Sequence, residues 1–390
     1  MDAVSTGLDL IVAERARRLR GRRVGLLAHP ASVDRRLRHA VPLLHGLLGD
    51  DLRALFGPQH GLRGETQDNM IEWRSYTDPG TGLPAHSLYG EHRRPTADML
   101  AGLDVLVVDL QDVGARYYTF VWTLLLCLEA CAAQGVAVMV LDRPNPLGGT
   151  VEGNLLDPGF TSFVGLAPIP MRHGLSMGEL ARWLRGHAGL NVELEVVAAS
   201  GWKRDRWFDE TGLPWVLPSP NMPTLDTATV YPGACLLEGT ELSEGRGTTR
   251  PFEILGAPWL EPAALVAAVP AAWLPGAVLR PLHFEPTFQK HAGRICGGVQ
   301  VHVTDRAAFQ PVLTYLGLLV AIRRLWPDDF RWKQPPYEYE HEKLPIDILA
   351  GGSELREAVE AGADPVPLTA RWREEARAWF AGAAECLLHD

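Results

Sequence analysis

Residues 105–141 read VLVVDLQDVGARYYTFVWTLLLCLEACAAQGVAVMVL, and this stretch predicts the fold. Its two ends are continuous apolar runs, which are typical of strands buried on both faces of a parallel sheet. The part between them, from Tyr117 to Ala133, predicts the crossover helix that two parallel strands require. Upstream, residues 23–28 and 52–56 predict two more strands. We therefore expect an α/β fold that starts with a Rossmann-like domain built on a mainly parallel sheet.

The regular alternation of strands and helices ends near the middle of the chain. Residues 298–304 alternate like a half-exposed strand, and residues 355–388 predict two terminal helices. A chain of 390 residues suits two domains. We expect the Rossmann-like domain to span residues 1–234 and a smaller α+β lobe to span residues 235–390.

The composition disfavours several function classes. A formal net charge of −10, from 37 basic and 47 acidic residues without a segregated basic patch, disfavours nucleic acid as a partner. No run of about 20 apolar residues occurs, so we expect no membrane-spanning helix. The five cysteines form no CxxC pair, and the Arg-rich N-terminal stretch follows its short apolar patch, which is the wrong order for a signal peptide. These features favour a cytoplasmic protein with reduced thiols, and its oligomeric state stays open.

A polar loop follows each of the four predicted strands. Because ligands of open α/β sheets bind beyond the carboxyl ends of the strands, we expect the chemistry there. No GxGxxG follows the first strand and no GxxxxGK[ST] occurs, so a nucleotide site is not predicted. His60, His173 and His291 match no zinc-binding spacing, and we expect no metal and no other cofactor.

The loop after the second strand, FGPQHGLRGETQDN at residues 56–69, holds many polar side chains directly behind a buried strand, and we call it the first loop. Because Pro58 and the neighbouring glycines fix a sharp turn, a rigid loop can present these side chains to a cleft. The alternative is a solvated surface loop. The candidates in this loop are Gln59, His60 and Arg63 for binding, and Glu65 and Asp68 for acid–base chemistry.

Two later stretches, at residues 105–120 and 141–153, repeat this arrangement of a polar loop behind a buried strand. In the first, a pair of tyrosines either stacks on a sugar ring or packs in the core. In the second, an asparagine between two prolines has an amide that can donate and accept hydrogen bonds, and a later glutamate is either functional or a surface carboxylate. The candidates in these two loops are Asp112, Arg116, Tyr117, Tyr118, Arg143, Asn145 and Glu152.

A third region combines PSPNMPT at residues 218–224 with EGTELSEGRGTTRPFE at residues 238–253. The second string places four glutamates around Arg246. Such a group can supply the carboxylates of a glycosidase, hold a metal or form only a web of salt bridges, and the sequence leaves all three open. The candidates in this region are Asn221, Glu244 and Arg246.

Eight strings of this chain occur together in one order: PQHGLRGE (58–65), DLQDVGARYYTF (109–120), LDRPNPLGG with VEG (141–153), HGLSMGELA (173–181), PSPNMPT (218–224), YPGACLLEGTELSEGRGTTRPFE (231–253), FEPTFQKHAG (284–293) and IDILAGG (346–352). Together they resemble the exo-β-N-acetylmuramidases of the NamZ/YbbC type, which release N-acetylmuramic acid from the non-reducing ends of peptidoglycan fragments. The resemblance spans most of the chain. It implies a Rossmann-like domain, a smaller C-terminal α/β domain and an active site in the cleft between them. It also implies a small muramyl saccharide as substrate and a role in cell-wall recycling.

The chain departs from this family at one position. Where the family's first motif usually carries Glu, a leading candidate for the catalytic acid, this chain has Gln59. Because Gln cannot act as a general acid, either Glu65 or Asp68 of the same loop is the acid, or this chain has altered activity; we expect the former. A glycosidase also needs a group that stabilises the oxocarbenium-like centre or activates water. The candidates for this second role are Asp112, Glu152 and Glu244.

The lactyl carboxylate of N-acetylmuramic acid requires a cation in a selective pocket. The candidates for this cation are Arg63, Arg116, Arg143 and Arg246. The acetamido group of the substrate can itself serve as the nucleophile, so the stereochemical outcome is left open. Two other functions also stay open: a saccharide-binding protein that has lost its acid at Gln59, and a metal-dependent hydrolase built on residues 238–253.

Overall fold

The computed structural model describes residues 3–64 and 66–390, so the predicted acid Glu65 lies outside the described residues. The strands in this part of the chain are β1 (Val24–Ala28), β2 (Leu52–Gly57), β3 (Tyr76–Thr77), β4 (Pro84–Ser87), β5 (Val105–Asp109), β6 (Ala137–Leu141), β7 (Glu152–Leu155), β8 (Pro170–Arg172), β9 (Leu194–Val197), β10 (Ile254–Ala257), β11 (Ala277–Phe284) and β12 (Cys296–Val303). The helices are α1 (Gly7–Ala13), α2 (Ala40–Leu48), α3 (Ala97–Leu100), α4 (Phe120–Gln134), α5 (Met177–His187), α6 (Leu225–Ala234), α7 (Pro262–Ala268), α8 (Pro311–Leu325), α9 (Pro345–Ala350), α10 (Glu354–Glu360) and α11 (Pro365–Gly382).

The largest sheet has seven strands in the order β3-β4-β2-β1-β5-β6-β9. Its neighbouring strands are parallel except β3 and β4, which form an antiparallel edge. Alternate residues of β5 enter different apolar clusters: Val105 and Val107 pack with α1 and α2, whereas Leu106 and Val108 pack with α4. The sheet is thus covered on both faces, which is why β1, β5 and β6 are buried along their whole length. The Rossmann-like α/β fold is confirmed, and each of the four predicted strands is found within one residue at either end.

The start of the crossover helix α4 differs from the prediction. The helix begins at Phe120, so Tyr117 and Tyr118 lie in the turn that precedes it rather than in its first turn. In this turn the Tyr117 hydroxyl donates a hydrogen bond to the carbonyl oxygen of Pro232, which anchors the turn to α6. The turn therefore presents Tyr118 and Thr119 to the space between the first sheet and the later part of the chain.

The later part of the chain is built on an antiparallel sheet in the order β10-β12-β11. Helix α8 is mostly buried and packs against α6 and α11. Helix α11 also contacts β7, which pairs with β8 outside the large sheet. The C-terminal residues return to the first sheet, where His389 Nε2 lies 2.8 Å from Asp142 Oδ2. Among the described residues, no helix combines the length and the apolar character needed to cross a membrane.

Candidate active site

A cavity lies where the carboxyl end of β2 and the turn before α4 meet residues 238–252 and 337–338. We call it the inner cavity. Its open volume is about 40 Å³, which is room for a few water molecules, so a sugar ring enters only when the lining side chains move apart. The titratable and amide groups that line it include Gln59, His60, Asn69, Glu238, Arg246 and Glu338.

Gln59 follows β2 and is held from two sides. Its Oε1 accepts a hydrogen bond from Thr119 Oγ1 at 2.6 Å, and its Nε2 donates to Glu338 Oε1 at 3.2 Å. The next residue, His60, has a φ of 70°, a left-handed backbone that residues other than glycine rarely adopt. Burial lowers the pKa of His60 to about 4, so its imidazole is neutral at physiological pH. The sharp turn expected for this loop therefore places the amide of Gln59 and the imidazole of His60 at the cavity.

Glu338 is a buried carboxyl group with two hydrogen-bond partners. It is 3% exposed, and its Oε2 accepts a hydrogen bond from Tyr89 Oη at 2.8 Å, while its Oε1 accepts from Gln59. Burial raises the pKa of Glu338 to about 7 and the charge of Glu238 adds to the rise, although the hydrogen bonds from Tyr89 and Gln59 oppose it. Glu338 therefore keeps its proton up to nearly neutral pH.

Glu238 lines the same cavity and is shifted in the opposite direction. Its Oε1 accepts a hydrogen bond from Arg246 Nη2 at 2.7 Å, and its Oε2 accepts from Tyr337 Oη at 2.6 Å and from Asn69 Nδ2 at 2.9 Å. Burial acts to raise the pKa of Glu238, but the charge of Arg246 and the hydrogen bond from Tyr337 outweigh it, and the pKa is lowered. Glu238 is therefore an ionised carboxylate at neutral pH.

Arg246 connects Glu238 to a second buried carboxylate. Its Nε lies 3.2 Å from Glu244 Oε1, and Lys290 Nζ lies 2.9 Å from Glu244 Oε2. Two cations thus balance two anions, and the predicted catalytic residue Glu244 is an ion-pair partner beside the cavity. The Arg246 guanidinium also lies over the Phe252 ring at 5.0 Å, and its Nη1 makes no hydrogen bond to any described residue. This nitrogen is a free donor on a side chain that lines the cavity.

Three of the four glutamates of residues 238–253, namely Glu238, Glu244 and Glu253, form a web of ion pairs and hydrogen bonds. Besides the pairs of Arg246, Glu253 accepts a hydrogen bond from Thr227 Oγ1 at 2.8 Å and pairs with Arg250 at 3.3 Å. Within residues 3–64 and 66–390, no three His, Cys, Asp or Glu side chains are grouped so that they could hold a metal ion.

Several predicted binding residues do surround the inner cavity. The predicted residues that line it are Gln59, His60, Tyr117, Tyr118, Asn221 and Arg246. Asn221 is held by a hydrogen bond from its Nδ2 to the carbonyl oxygen of Gln67 at 2.8 Å. The predicted acid Asp68 precedes the lining residue Asn69 in the chain and does not itself line the cavity. Its Oδ1 accepts a hydrogen bond from Gln289 Nε2 at 2.9 Å. The structure therefore gathers residues of the first loop and of the third predicted region at one place.

Three of the predicted arginines lie outside the inner cavity. Arg63 pairs with Asp78 at 2.6 Å on the other side of the first loop, and Arg143 forms a buried ion pair with Asp109 at 2.6 Å. Arg116 is fully buried and donates to the backbone carbonyls of Asn154, Ile169, Leu349 and Ala350. The structure does not bring these guanidinium groups to the side chains around Glu338.

Asp112, Asn145 and Glu152 also have partners away from the inner cavity. Asp112 Oδ2 lies 3.0 Å from His173 Nε2, and Asn145 Nδ2 donates to a backbone carbonyl at 3.0 Å. Glu152 Oε1 accepts a hydrogen bond at 3.0 Å from the backbone N–H of Val312 at the start of α8. Burial raises the pKa of Glu152 to about 7. Glu152 is therefore a second carboxyl group with a raised pKa, but it lies at the start of α8 and does not line the inner cavity.

Sequence reasoning missed Glu338 and Tyr89. The two residues meet across 249 positions of the chain. Glu338 lies in the string PPYEYE at residues 335–340, which follows no helix or strand period. In this string a glutamate lies between two tyrosines and follows a pair of prolines. Such a pattern is a weak indication of a rigid functional loop, and it could have pointed to Glu338.

Comparisons with known proteins point to one family. Models for the N-terminal and C-terminal parts of the exo-β-N-acetylmuramidase NamZ match residues 24–226 and 229–389. The chain is 44% identical over 360 residues to the peptidoglycan β-N-acetylmuramidase NamZ of Bacillus subtilis (strain 168), which covers 92% of this chain and 85% of that protein. It also resembles the crystal structures of two DUF1343 family proteins from Bacteroides fragilis, with TM-scores of 0.88 and 0.79 at 33% and 27% identity. Each of these similarities covers 100% of this chain and 99% of the other.

Proposed function

The chain belongs to the NamZ family of exo-β-N-acetylmuramidases, and we propose that it uses Glu338 as its general acid. As a member of this family it is a glycoside hydrolase that releases N-acetylmuramic acid from the non-reducing ends of peptidoglycan fragments. The observation that supports this acid is a pair of buried carboxyl groups, Glu338 and Glu238, whose pKa values are shifted in opposite directions in one cavity. Such pairs indicate which carboxyl group donates a proton and which stays ionised.

Glu338 supplies the proton for the leaving oxygen. A glycosidic bond breaks readily only when its oxygen is protonated, and a carboxyl group with a pKa of about 7 still holds its proton in a large fraction of molecules at neutral pH. Gln59 and Tyr89 each hold one oxygen of this carboxyl group. Gln59, which cannot be the acid, is therefore a positioning residue for the acid.

Glu238 acts through its negative charge. Three donors, from Arg246, Tyr337 and Asn69, fix its carboxylate and keep it ionised. A fixed anion in a buried cavity stabilises the positive charge that develops at the anomeric carbon in the transition state. The two glutamates thus divide the roles that the glycosidase reaction requires.

Arg246 is the residue that we assign to the lactyl carboxylate of the substrate. Of the four predicted arginines, Arg246 alone lines the inner cavity, and its Nη1 is a free donor there. A sugar ring needs more room than the inner cavity offers, so the walls must open on binding. The segment that carries Glu338 is a suitable moving wall, because Glu338 and Tyr339 have φ values of 44° and 67°, in the strained left-handed region.

We place this active site between two domains, divided after residue 234 as the sequence predicts. Gln59 and Tyr89 come from the first domain, and Glu238 and Glu338 come from the second. We place the reaction in the cytoplasm and its substrate among small muramyl saccharides. This assignment is supported by the free thiols of Cys127, Cys131, Cys235, Cys296 and Cys386, which suit a reducing compartment.

A saccharide-binding protein without activity is the second candidate function. Gln59 favours it, because the family that the sequence resembles usually carries a candidate acid at this position. This alternative predicts that the wild-type protein binds muramides and turns none of them over.

The test is hydrolysis of a chromogenic β-N-acetylmuramide, with the corresponding N-acetylglucosaminide as control. The variants are Glu338→Gln, Glu65→Gln and Asp68→Asn. We expect the muramide to be the better substrate and Glu338→Gln alone to abolish turnover. Turnover that survives in Glu338→Gln and is lost in Glu65→Gln or Asp68→Asn would return the acid to the first loop. A wild-type protein that binds the muramide without turnover would support the second candidate.

A further inference from the structure

Glu338 lies in the wall between two spaces. It lines the inner cavity and also an open groove of about 460 Å³, which is lined in addition by Arg93, Phe163 and Tyr339. Consecutive residues divide in the same way, because Val164 lines the inner cavity and Phe163 lines the groove. We call this second space the outer groove.

The position of the acid decides what each space binds. A general acid protonates the oxygen between the terminal sugar and the rest of the substrate, so the two parts of the substrate lie on opposite sides of it. The inner cavity is the enclosed space and suits the terminal sugar. On the basis of the proposed function, we propose that the outer groove binds the leaving saccharide and that Arg93 recognises a carboxylate on it.

The outer groove has room for more than one sugar ring. It continues into a space of about 600 Å³, and Glu91 and His92 line both. Each space is within the range of ordinary ligand pockets, roughly 300–1,000 Å³. A leaving group of one sugar would fill only the part next to Glu338. The extent of the groove therefore favours a longer saccharide.

Arg93 is an oriented cation in the outer groove. Its guanidinium carbon lies 3.8 Å from the centre of the Tyr339 ring, so the cation is held over the ring at the wall of the groove. The adjacent Arg94 is paired with Glu129 at 3.2 Å, whereas no carboxylate of a described residue lies within ion-pair distance of Arg93. A guanidinium has five N–H donors, and those of Arg93 that are not used within the protein can bind a carboxylate.

The floor of the outer groove suits a sugar ring. Phe163 and Tyr339 pack against each other with ring centres 6.3 Å apart, and both contact the ring of Tyr89, whose hydroxyl holds Glu338. Because Phe163 is 7% exposed and Arg93 covers one face of Tyr339, the floor offers a pyranose an apolar surface rather than two open ring faces. A leaving saccharide that carries a second muramyl residue would offer both a ring for this floor and a lactyl carboxylate for Arg93.

The kinetic test compares three substrates with the same terminal N-acetylmuramic acid. Their leaving groups are a chromogenic phenol, a single neutral N-acetylglucosamine, and a trisaccharide that contains a second muramyl carboxylate. For the wild-type protein we expect the highest kcat/KM with the trisaccharide leaving group. Arg93→Gln should lower that kcat/KM about tenfold and change the other two less than about twofold. Arg53→Gln, the control in which an exposed arginine of β2 outside the outer groove is changed, should change none of them.

Equal kcat/KM values of the wild-type protein for the neutral and the anionic leaving saccharides would overturn the proposal, as would an equal loss on all three substrates in Arg93→Gln. The failure of the proposed function has a different signature, because Glu338→Gln would then keep the wild-type turnover of all three substrates, or the wild-type protein would hydrolyse none of them. In that case calorimetric titration with the leaving trisaccharide decides: binding that Arg93→Gln weakens supports the outer groove, and absence of binding to the wild-type protein overturns it.

Discussion

Gln59 Nε2 donates a hydrogen bond to Glu338 Oε1 over 3.2 Å, and this contact joins two loops that lie 279 positions apart in the chain. The partner of Glu338 at this contact is a neutral amide, so no second carboxyl group competes with Glu338 for its proton. With Glu at position 59, two carboxyl groups at this distance would share one proton. We therefore expect the general acid of this chain to be Glu338, the residue that accepts the hydrogen bond from Gln59.

Glu338→Gln should lower kcat for a chromogenic muramide by at least about 100-fold, because the amide keeps the shape of the side chain but cannot donate the proton. Binding of the muramide, measured by calorimetry, should change little. Glu342→Gln is the matched control, since Glu342 is exposed on the same segment. Equal kcat values for Glu338→Gln and Glu342→Gln would show that Glu338 is not the acid.

The alkaline limb of the pH profile should report the proton on Glu338. Activity falls as the pH rises through about 7, where the acid loses its proton. Gln59→Glu adds a carboxyl group beside Glu338, and the repulsion between two charges raises the pKa at which the pair loses its last proton. The alkaline limb of kcat/KM should therefore move to higher pH.

Tyr89→Phe tests the same pKa without adding a charge. The hydrogen bond from Tyr89 acts to lower the pKa of Glu338, so its removal should raise that pKa and also move the alkaline limb upward. The measurement is kcat/KM for the muramide as a function of pH. An alkaline limb that stays in place in both Gln59→Glu and Tyr89→Phe would contradict the assignment of Glu338.

Much of this fold follows from local pattern. The continuous apolar runs at residues 105–110 and 136–141 predict strands covered on both faces, and the structure has them in the centre of the sheet. The loop that follows β2 could be placed at the site as well, since the carboxyl ends of parallel strands share one edge of a sheet. Gln59 and His60 of that loop do line the inner cavity.

Other parts of the site depend on contacts that no local pattern encodes. Glu338 meets Tyr89 and Gln59 only when two distant parts of the chain fold together, so its burial and its raised pKa are properties of the tertiary structure. The sequence also cannot distinguish an arginine that faces a ligand from one that satisfies backbone carbonyls. Arg116 and Arg246 both lie within two residues of a glycine, yet the first is enclosed by carbonyl groups and the second lines the cavity.

The contribution of two buried glutamates to stability should fall as the pH rises from about 4.5 to about 7, because in this range they keep their protons in the folded protein and lose them in the unfolded chain. Glu338 and Glu152 each have a pKa of about 7 in the folded protein, above the ordinary value of 4.5. A raised pKa gives stability that is fully present below the unfolded value and is lost as the pH rises through the folded value. Glu338→Gln should remove about 3 kcal/mol of this decrease in the free energy of unfolding.

The measurement is urea unfolding at a series of pH values, with Glu342→Gln as the exposed control. Glu152→Gln should remove a similar part of the pH dependence and leave kcat unchanged, because Glu152 contacts α8 and not the inner cavity. A pH dependence that is the same in Glu338→Gln and the control would show that Glu338 ionises normally in the folded protein.

Arg116→Met should destabilise the protein by about 3 kcal/mol or more, because several buried backbone carbonyls lose their donor. Two of these carbonyls, at Leu349 and Ala350, end α9, so the loss should loosen the attachment of this helix. Unfolding by urea gives the change in stability. The ratio of KM values for the muramide and the glucosaminide should stay as in the wild-type protein; a change in this ratio would give Arg116 a part in substrate recognition.

Arg246→Lys should separate the two tasks of Arg246. The lysine keeps the positive charge that balances Glu238 and Glu244, so the folded structure should be retained, but it lacks the planar guanidinium that matches a carboxylate. We expect KM to rise about tenfold more for the chromogenic muramide than for the glucosaminide, which has no lactyl group. The control is Arg250→Lys, since Arg250 pairs with Glu253 and does not line the inner cavity. Equal increases of KM for both substrates in Arg246→Lys would mean that Arg246 serves Glu238 alone and that another group binds the lactyl carboxylate.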